Sequence, residues 1–366
     1  MNADEVRLST AIMTHPARAA EAEALAASLP ELEPVVVVDR SAPGTGNVGN
    51  ALRAWGKVAA GATHHLVLQD DVIPCENFAA QVRRAVAARP EDAVSLFCEW
   101  GSRSAFLVRA AAWQGWGWAR AVDLYTPSQG LVMPRAAAEA FAGLDDTGEP
   151  DDHVLVRFLR GSGIANAVTV PNLLEHDDRP SLTANGFQGR RGSACAADPG
   201  AADFGTPVAG TELERLPYVS WMRVFAEWCY CGPLHEDYTW VGAPVDTALP
   251  EGLRKADLTE AFASDLGDAG PELPATVNEV TLFELWTAYF GLGLVQPEPV
   301  DGEPGPFAEA AFATALPGAF RRFLSARALD ALSPAAGHLA AAAFRRGAAA
   351  DVERPGADWY ADPHGD

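Results

Sequence analysis

The sequence is short of positive charge, and that shortage excludes a class of partner. Its 366 residues carry 27 lysines and arginines against 49 aspartates and glutamates, a formal net charge of −22. A chain this acidic is not expected to bind nucleic acid or an anionic membrane surface, because both are polyanions. Acidity favours solubility and leaves the fold undecided.

Cysteines and long apolar runs are also scarce. The five cysteines are odd in number and irregularly spaced, which is not the pattern of a disulfide framework. Residues 1–6 lack the basic and apolar regions of a secretory signal. No run reaches the roughly 18–20 apolar residues of a membrane span, and the most apolar segment, 280–295, has helical periodicity and contains Glu284. We therefore expect a cytoplasmic protein with reduced thiols and without a membrane span.

The first half of the chain alternates short apolar runs with alanine-rich segments. Runs rich in β-branched residues are typical of buried strands, and longer amphipathic segments are typical of helices. The predicted strands are residues 8–13, 35–38, a run from 66 and 93–98, and the predicted helices are 17–29, one from 51, and 78–88. This alternation predicts an α/β fold with a doubly wound, mostly parallel sheet.

Polar side chains stand where three of the predicted strands end. Thr14 follows the first strand, Asp39 the second, and the adjacent Asp70 and Asp71 the third. Ligands of open α/β sheets bind outside the carboxyl ends of the strands, and neighbouring carboxylates suit Mg²⁺ or Mn²⁺. Asp is also common in turns, so the alternative is a strand that stops at a solvated Asp-Asp turn.

The composition changes near residue 187. Residues 187–210 are rich in Gly, Ala, Asp and Pro, which indicates a flexible loop or linker. Beyond it the pattern predicts helices over 218–231, 280–294, 307–327 and 337–346, without a catalytic motif. The expected organisation is an α/β domain over 1–186, a linker over 187–210, a mainly helical region over 211–350 and a frayed tail over 351–366.

Five short motifs occur in an order found in one large enzyme group. They are Asn47-x-Gly49-Asn50-Ala51, Gln69-Asp70-Asp71 within LQDDVIP, residues 129–135 (QGLVMPR), Asp151-Asp152-His153, and residues 171–176 (PNLLEH). With the order of elements, they resemble the GT-A fold of nucleotide-sugar glycosyltransferases over about residues 5–190, in particular family 2 and the lipooligosaccharide-type galactosyltransferases. Gln69 is a departure, because many members of the group carry an acid there, and the charge of a metal would be less compensated.

The resemblance implies transfer of a sugar from a nucleoside diphosphate to an unknown acceptor, by metal-assisted displacement with inversion. Asp71 and His176 would hold Mn²⁺ or Mg²⁺, and Asp152, or Asp151 in its place, would take the acceptor proton. The nucleotide would contact Thr14, Arg18, Asp39, Asn47, Asn50, Asp70 and, from a glycine-flanked loop, Arg190 and Arg191. The acceptor would contact Trp116, Trp118 and Gln129.

These assignments have structural alternatives. Asp151 and Asp152 would also stabilise a helix start, tryptophans fill cores with their N–H groups bonded, and Arg190 and Arg191 would offset nearby acids in a solvated loop. For the whole chain, the alternatives are an inactive glycosyltransferase-like binding or scaffold protein and a sugar nucleotidyltransferase. The latter is disfavoured, since residues 9–18 contain no glycine-rich phosphate loop.

Overall fold

The structure, a computed structural model, describes residues 1–41, 46–179, 182, 185–213, 215–230, 240–246, 249–250, 252–296 and 302–352. The chain divides into two compact units. The first comprises residues 1–99, 116–180 and 192–209, and the second comprises residues 100–115, 181–191 and the chain from 210 onward. The chain therefore passes between the units several times, whereas its composition predicts a single division near residue 187.

The first unit is built on a mixed eight-stranded sheet. Its strands and those of a small ribbon are β1 (Leu8–Thr14), β2 (Val35–Val38), β3 (His64–Gln69), β4 (Val72–Pro74), β5 (Ala93–Ser95), β6 (Trp118–Arg120), β7 (Gly130–Pro134), β8 (Asn166–Thr169), β9 (Leu174–His176) and β10 (Val208–Ala209). The sheet order is β10-β6-β8-β5-β7-β3-β1-β2, and β4 pairs with β9 separately. Strands β2, β1 and β3 run parallel, while β7 is antiparallel to β3 and β5. The predicted α/β class is confirmed.

Helices occupy several of the connections between the strands, and the first three of them correspond to the predicted helices. They are α1 (Ala19–Ser28), α2 (Val48–Trp55), α3 (Phe78–Ala88), α4 (Ser104–Gln114), α5 (Arg135–Ala142) and α6 (Asp151–Gly161), of which α4 belongs to the second unit. The apolar run from Leu66 ends as a sheet strand at Gln69 and resumes as β4. Asp70 and Asp71 therefore lie in the turn between two strands.

The core of the first unit explains the near-continuous apolar character of β3. Leu66 and Leu68 are fully buried, and Val67 belongs to a cluster with Trp55 of α2 and Phe141 of α5. The rings of Trp55 and Phe141 meet edge to face, with centroids 6.1 Å apart. Successive side chains of a strand point to opposite faces of the sheet, so the burial of Leu66, Val67 and Leu68 leaves β3 without a solvated face. Polar side chains on β3 are thus confined to its ends.

The second unit contains an antiparallel sheet and most of the helices. Its elements beyond α4 are β11 (Arg215–Val219), β12 (Ala226–Tyr230), β13 (Trp240–Pro244), α7 (Lys255–Ala269), α8 (Glu272–Thr276), α9 (Glu279–Leu294), α10 (Ala308–Ala313), α11 (Ala315–Phe320) and α12 (Ala326–Ala348). The helix predicted over 280–294 is confirmed as α9. Across the described residues, no helix combines the length and apolarity needed to cross a membrane.

Two helix predictions in this unit are wrong. Residues 218–231 were predicted as one helix, but Tyr218 pairs with Glu227 across the antiparallel strands β11 and β12. The predicted helix 307–327 is broken into α10, α11 and the start of α12. Pro317 has no N–H to donate to the carbonyl of Ala313, which explains the break before α11. The segment predicted over 337–346 lies within the longer α12.

Residues 187–210, expected to be a flexible linker, are largely packed. Ala194 and Cys195 are fully buried, and the amide of Ala194 donates to the carbonyl of Cys98 at 2.8 Å. Strand β10 extends the edge of the main sheet beside β6. Small side chains allow this close packing as readily as they allow flexibility, so composition alone cannot separate the two. Residues 353–366, most of the predicted tail, lie outside the described residues.

Candidate functional site

The ends of β1, β2 and β3 bring their polar residues to one place. Register pairs Met13 of β1 with Gln69 of β3, so Thr14 and Asp70 follow side by side. The Thr14 hydroxyl donates to Asp70 Oδ2 at 2.5 Å. On the other side of β1, the amide of Asp39 donates to the Thr14 carbonyl at 2.8 Å. The predicted convergence of polar groups at three strand ends is therefore present.

Arg18 places a cation between the two adjacent carboxylates. It lies at the end of a short 3-10 turn, Pro16–Arg18, directly after β1. A single nitrogen, Arg18 Nη1, is 3.2 Å from Asp70 Oδ1 and 3.1 Å from Asp71 Oδ2. The three side chains are only 9–13% exposed. Two neighbouring buried carboxylates repel each other unless a positive charge faces them, and Arg18 supplies that charge.

His176 approaches the same carboxylates from the β4–β9 ribbon. Val72 pairs with His176 across this ribbon, and His176 Nε2 lies 3.5 Å from Asp71 Oδ2. The histidine is 6% exposed, and its buried Nδ1 has no hydrogen-bond partner among the described residues. The neighbouring Glu175 turns the other way and accepts from the amide and hydroxyl of Ser193. Asp71 and His176, predicted together as metal ligands, thus lie together.

The fit of a divalent cation depends on how many ligands the protein must supply. Within the described ranges, no group of three or more His, Cys, Asp or Glu side chains is placed to hold a metal. Mg²⁺ often binds through one or two carboxylates with the remaining ligands from substrate phosphates and water. Asp71 and His176, whose Nε2 faces Asp71 Oδ2 at 3.5 Å, provide a donor set of that size. The residues fit a cation that arrives with a diphosphate, provided that Arg18 moves away from Asp71.

Asp39 and Asn50 form a second network beside the first. Arg53 donates to Asp39 Oδ1 at 3.0 Å and to Asn50 Oδ1 at 3.2 Å. Burial raises the pKa of Asp39, but hydrogen bonds from Ser41 and the charge of Arg53 outweigh it and lower the pKa overall. Asn50 is 2% exposed and its Nδ2 lies 3.5 Å from the Thr14 carbonyl. An ionised acceptor therefore sits at the end of β2, with Asn50 fixed behind it.

Asn47 and Asp151 bind each other reciprocally. Asn47 Nδ2 donates to Asp151 Oδ1 at 2.7 Å, and the Asp151 amide donates to Asn47 Oδ1 at 2.8 Å. Asp151 is 3% exposed at the first position of α6. Burial, followed by the charge of Asp152, raises the pKa of Asp151 to about 6, against the opposing effect of Asn47. Burial also raises the pKa of Asp152, which is only partly buried. Asp151 is therefore fixed in place by its hydrogen bonds with Asn47, and Asp152 is the more accessible of the pair.

The residues predicted on the acceptor side differ in their accessibility. Gln69 Nε2 donates to Ser128 Oγ at 3.1 Å, and the Gln69 amide donates to the carbonyl of Gln129 at 2.9 Å. Gln129 therefore lies next to the Asp70 turn, and within the described part of the chain its buried Oε1 has no hydrogen-bond partner. Trp118 is fully buried, and its Nε1 donates to the Phe204 carbonyl. Its ring has no free face for a sugar, whereas Trp116 is half-buried.

Arg190 and Arg191 lie in the second unit. Arg190 Nη1 is 2.8 Å from Asp330 Oδ1, and its guanidinium lies 5.9 Å from the centre of the Trp100 ring. Arg190 thus has an acidic partner within its own unit, as the structural alternative for this pair requires. The sequence alone does not identify Asp330 as this partner.

Several residues of the site escape prediction from the sequence. Arg53 stands one helical turn after Asn50 on α2, and this spacing is the signal that could have identified it. Ser128 and Ser193 carry no comparable signal, because each reaches its partner from a distant part of the chain. No protein-family model matches the chain, and no curated protein is similar enough to it to count as a match. The assignment of a function therefore depends on the site itself.

Proposed function

We propose that the protein is a glycosyltransferase that moves a sugar from a nucleoside diphosphate to an acceptor hydroxyl or amine. The observation that carries the proposal is the cluster of Thr14, Arg18, Asp70 and Asp71 after the parallel strands β1 and β3, which His176 joins from the β4–β9 ribbon. A cation already bridges two carboxylates there, and an imidazole faces one of them. This combination suits a ligand that brings both phosphate oxygens and a metal ion.

The donor would lie across the ends of β1 and β2. Asp39, kept ionised by Arg53 and Ser41, would accept hydrogen bonds from the nucleobase or ribose. Asn50 and the Asn47–Asp151 pair would line the other side of the nucleotide. Arg18 would turn from Asp71 to the diphosphate, because a guanidinium binds phosphate oxygens in two-pronged fashion.

Asp71 and His176 would hold Mn²⁺ or Mg²⁺ together with diphosphate oxygens. A bound divalent cation stabilises the negative charge that develops on the leaving group. Asp152 would take the proton from the acceptor, and its raised pKa makes it a better proton acceptor near neutral pH than an ordinary aspartate. Asp151, buried and bonded to Asn47, would position Asp152 at the start of α6.

The bridge from Arg18 to both carboxylates favours a second candidate. In this alternative the arginine permanently replaces the metal, and the chain binds a nucleotide-sugar without turning it over. Gln69 stands where many members of the resembled group carry an acid. Its lack of charge also favours a protein that binds a nucleotide-sugar without a metal. The two candidates differ in whether Mn²⁺ strengthens binding and in whether nucleoside diphosphate is released.

Thermal unfolding with a panel of nucleoside diphosphates, with and without Mn²⁺, tests the proposal. A ligand that binds only the folded state raises the unfolding temperature, and we expect one diphosphate to do so in the presence of Mn²⁺. Asp71→Ala should abolish the Mn²⁺-dependent part. Asp145→Ala is the matched control, because this exposed acid of the same unit makes no hydrogen bond or ion pair with the other described residues. Absence of any diphosphate effect in the unmodified protein would refute the proposal, and binding without product release would favour the second candidate.

A further inference from the structure

A groove in the first unit opens directly beside the candidate site. It has a volume of about 530 Å³, within the range of pockets that hold small organic ligands. One wall is the outer side of α1, with Ala20, Ala24 and Ser28 one helical turn apart, and the other wall is β4. Asp70, which Thr14 and Arg18 hold in the site, lies at one end of the groove. The groove and the site therefore share a residue.

The two walls of the groove are formed mainly by apolar side chains, although the groove is open to solvent. Val72, Ile73 and Pro74 supply one side, and Leu25 and the alanines of α1 supply the other. Ile73 is 51% exposed, so a large aliphatic side chain faces solvent one residue beyond a buried valine. Apolar surface of this kind next to a polar site is typical of a place where a ligand's apolar part binds.

The charges at the rim restrict what can bind. Glu21 and Asp177 both hold Arg179, the only cation among the groove-lining residues that the structure describes. Asp70 is already paired with Arg18. With these pairings, the rim carries more negative than positive charge. An anionic occupant such as a diphosphate would be repelled, while an uncharged molecule with an apolar body would not be.

We infer that this groove receives the alkyl or aryl body of an uncharged acceptor, whose hydroxyl then lies at the Asp70 end. The inference rests on the proposed function, because it names the class of acceptor for that site. It assigns the nucleotide to the ends of β1 and β2 and the acceptor's apolar part to the space between α1 and β4.

Calorimetric titration of the full chain with three probes tests this inference. Octyl β-glucoside, used below the concentration at which it forms micelles, carries an uncharged apolar chain. Methyl β-glucoside lacks the chain, and octanoate has a comparable chain with a negative charge. We expect saturable binding of octyl glucoside and at least about tenfold weaker binding of the other two, since each buried methylene adds to affinity.

Two matched variants locate the binding. Ala24→Trp places a large ring in the middle of the groove and should weaken octyl glucoside binding about tenfold. Ala27→Trp makes the same change at an exposed position of α1 that does not line the groove, and should have no effect. Equal affinities in the two variants, or equal binding of octanoate, would overturn the inference.

A further set of titrations, with nucleotides, tests this inference separately from the proposed function. Uridine and guanosine diphosphates, titrated with Mn²⁺, should bind Ala24→Trp as they bind the unmodified protein. If Ala24→Trp weakens diphosphate binding, or if a diphosphate displaces octyl glucoside, the groove belongs to the donor and the inference is wrong. If no nucleoside diphosphate binds the unmodified protein, the proposed function fails, whatever the glucoside result.

Discussion

Two buried arginines, one in each unit, show how differently the same side chain is used. In the second unit, Arg109 is 1% exposed and donates to the carbonyls of Trp100, Ala311 and Thr314 and to the Thr314 hydroxyl. All of its acceptors are uncharged. In the first unit, Arg18 instead faces two carboxylates at the ends of the strands.

The difference in acceptors leads us to expect that Arg109 is purely structural and that Arg18 can be replaced by another cation. The carbonyls around Arg109 are parts of the folded backbone, and a metal ion or ligand has no reason to take the place of a planar donor there. Carboxylates such as those around Arg18 are also general ligands of Mg²⁺ and Mn²⁺, so we expect a divalent cation to be able to take the place of the guanidinium there. Burial alone therefore does not identify a functional charge, whereas the chemistry of its partners does.

The largest effect is expected in the second unit. Arg109→Met should lower the free energy of unfolding by roughly 3 kcal/mol or more, because several buried carbonyls lose their donor and each costs about 1–3 kcal/mol. Guanidinium denaturation measures the loss. Addition of Mn²⁺ should not restore stability, and restoration would contradict the distinction between the two arginines.

An acid of the first unit should matter for chemistry more than for stability. Asp152→Asn should reduce turnover by about 10²-fold, the contribution of a typical general base, while diphosphate binding and the unfolding midpoint change little. Turnover is measured as nucleoside diphosphate release from its sugar conjugate. Asp145→Asn, an exposed acid in the same unit, is the control. Unchanged turnover in Asp152→Asn would remove Asp152 from the mechanism.

Removal of Arg18 should lower the stability of the protein in a way that a cation can reverse. Arg18→Met leaves Asp70 and Asp71 facing each other. It should lower the free energy of unfolding by roughly 2 kcal/mol, a value between those for exposed and buried ion pairs. Millimolar Mn²⁺ should recover most of this loss, since the ion replaces the guanidinium. Denaturation of the variant with Mn²⁺ and with a chelator measures it. A loss that Mn²⁺ cannot reverse would make Arg18 structural, like Arg109.

The smallest effect concerns the buried acid of the first unit. The pKa of Asp151 rises from its ordinary 3.8 to about 6 on folding, so the carboxylate destabilises the fold increasingly as pH rises from about 4 to 6, and fully above that. Asp151→Asn keeps an acceptor for Asn47 and removes the charge. At about 1.4 kcal/mol per pKa unit, the change from 3.8 to about 6 corresponds to roughly 3 kcal/mol. Asp151→Asn should recover roughly 1 kcal/mol of this at pH 7.5, because the neutral amide accepts a weaker hydrogen bond from Asn47 than the carboxylate does, and much less at pH 4. Denaturation at both pH values tests this, and equal effects would refute the pKa assignment.

The sequence predicts those parts of the molecule whose pattern is local. The strands and helices as far as Ala88 follow from β-branched runs and alanine-rich segments, and the polar ends of β1, β2 and β3 follow from the topology that those elements imply. The pairing of Thr14 with Asp70 is a direct consequence of parallel register. Local pattern does not predict secondary structure correctly where strand pairing determines it. Strands β11 and β12 are an example, because their aromatic residues are equally compatible with a helix.

The remaining incorrect predictions concern residues whose burial depends on contacts with distant segments. The packing of Ala194 and Cys195 depends on Cys98 and Asn172, which no composition of the 187–210 segment reveals. The burial of Trp118 depends on Phe204 in the same way. A short-range reading of either segment therefore finds a loop or an exposed aromatic, and only the assembled unit shows a core.

The reciprocal bond between Asn47 and Asp151 has a consequence for the order of folding. These residues are 104 positions apart in the chain, and His176 is 105 positions from Asp71, the carboxylate that it faces. Contacts across so long a stretch close late, because the entropy of a long loop must be lost before they form. During synthesis, β1, β2 and β3 can pair before the ribosome has released Asp151 or His176. We therefore expect the growing chain to hold Asp70 and Asp71 with Arg18 as their nearest cation, and to complete the cluster only after strand β9 has emerged.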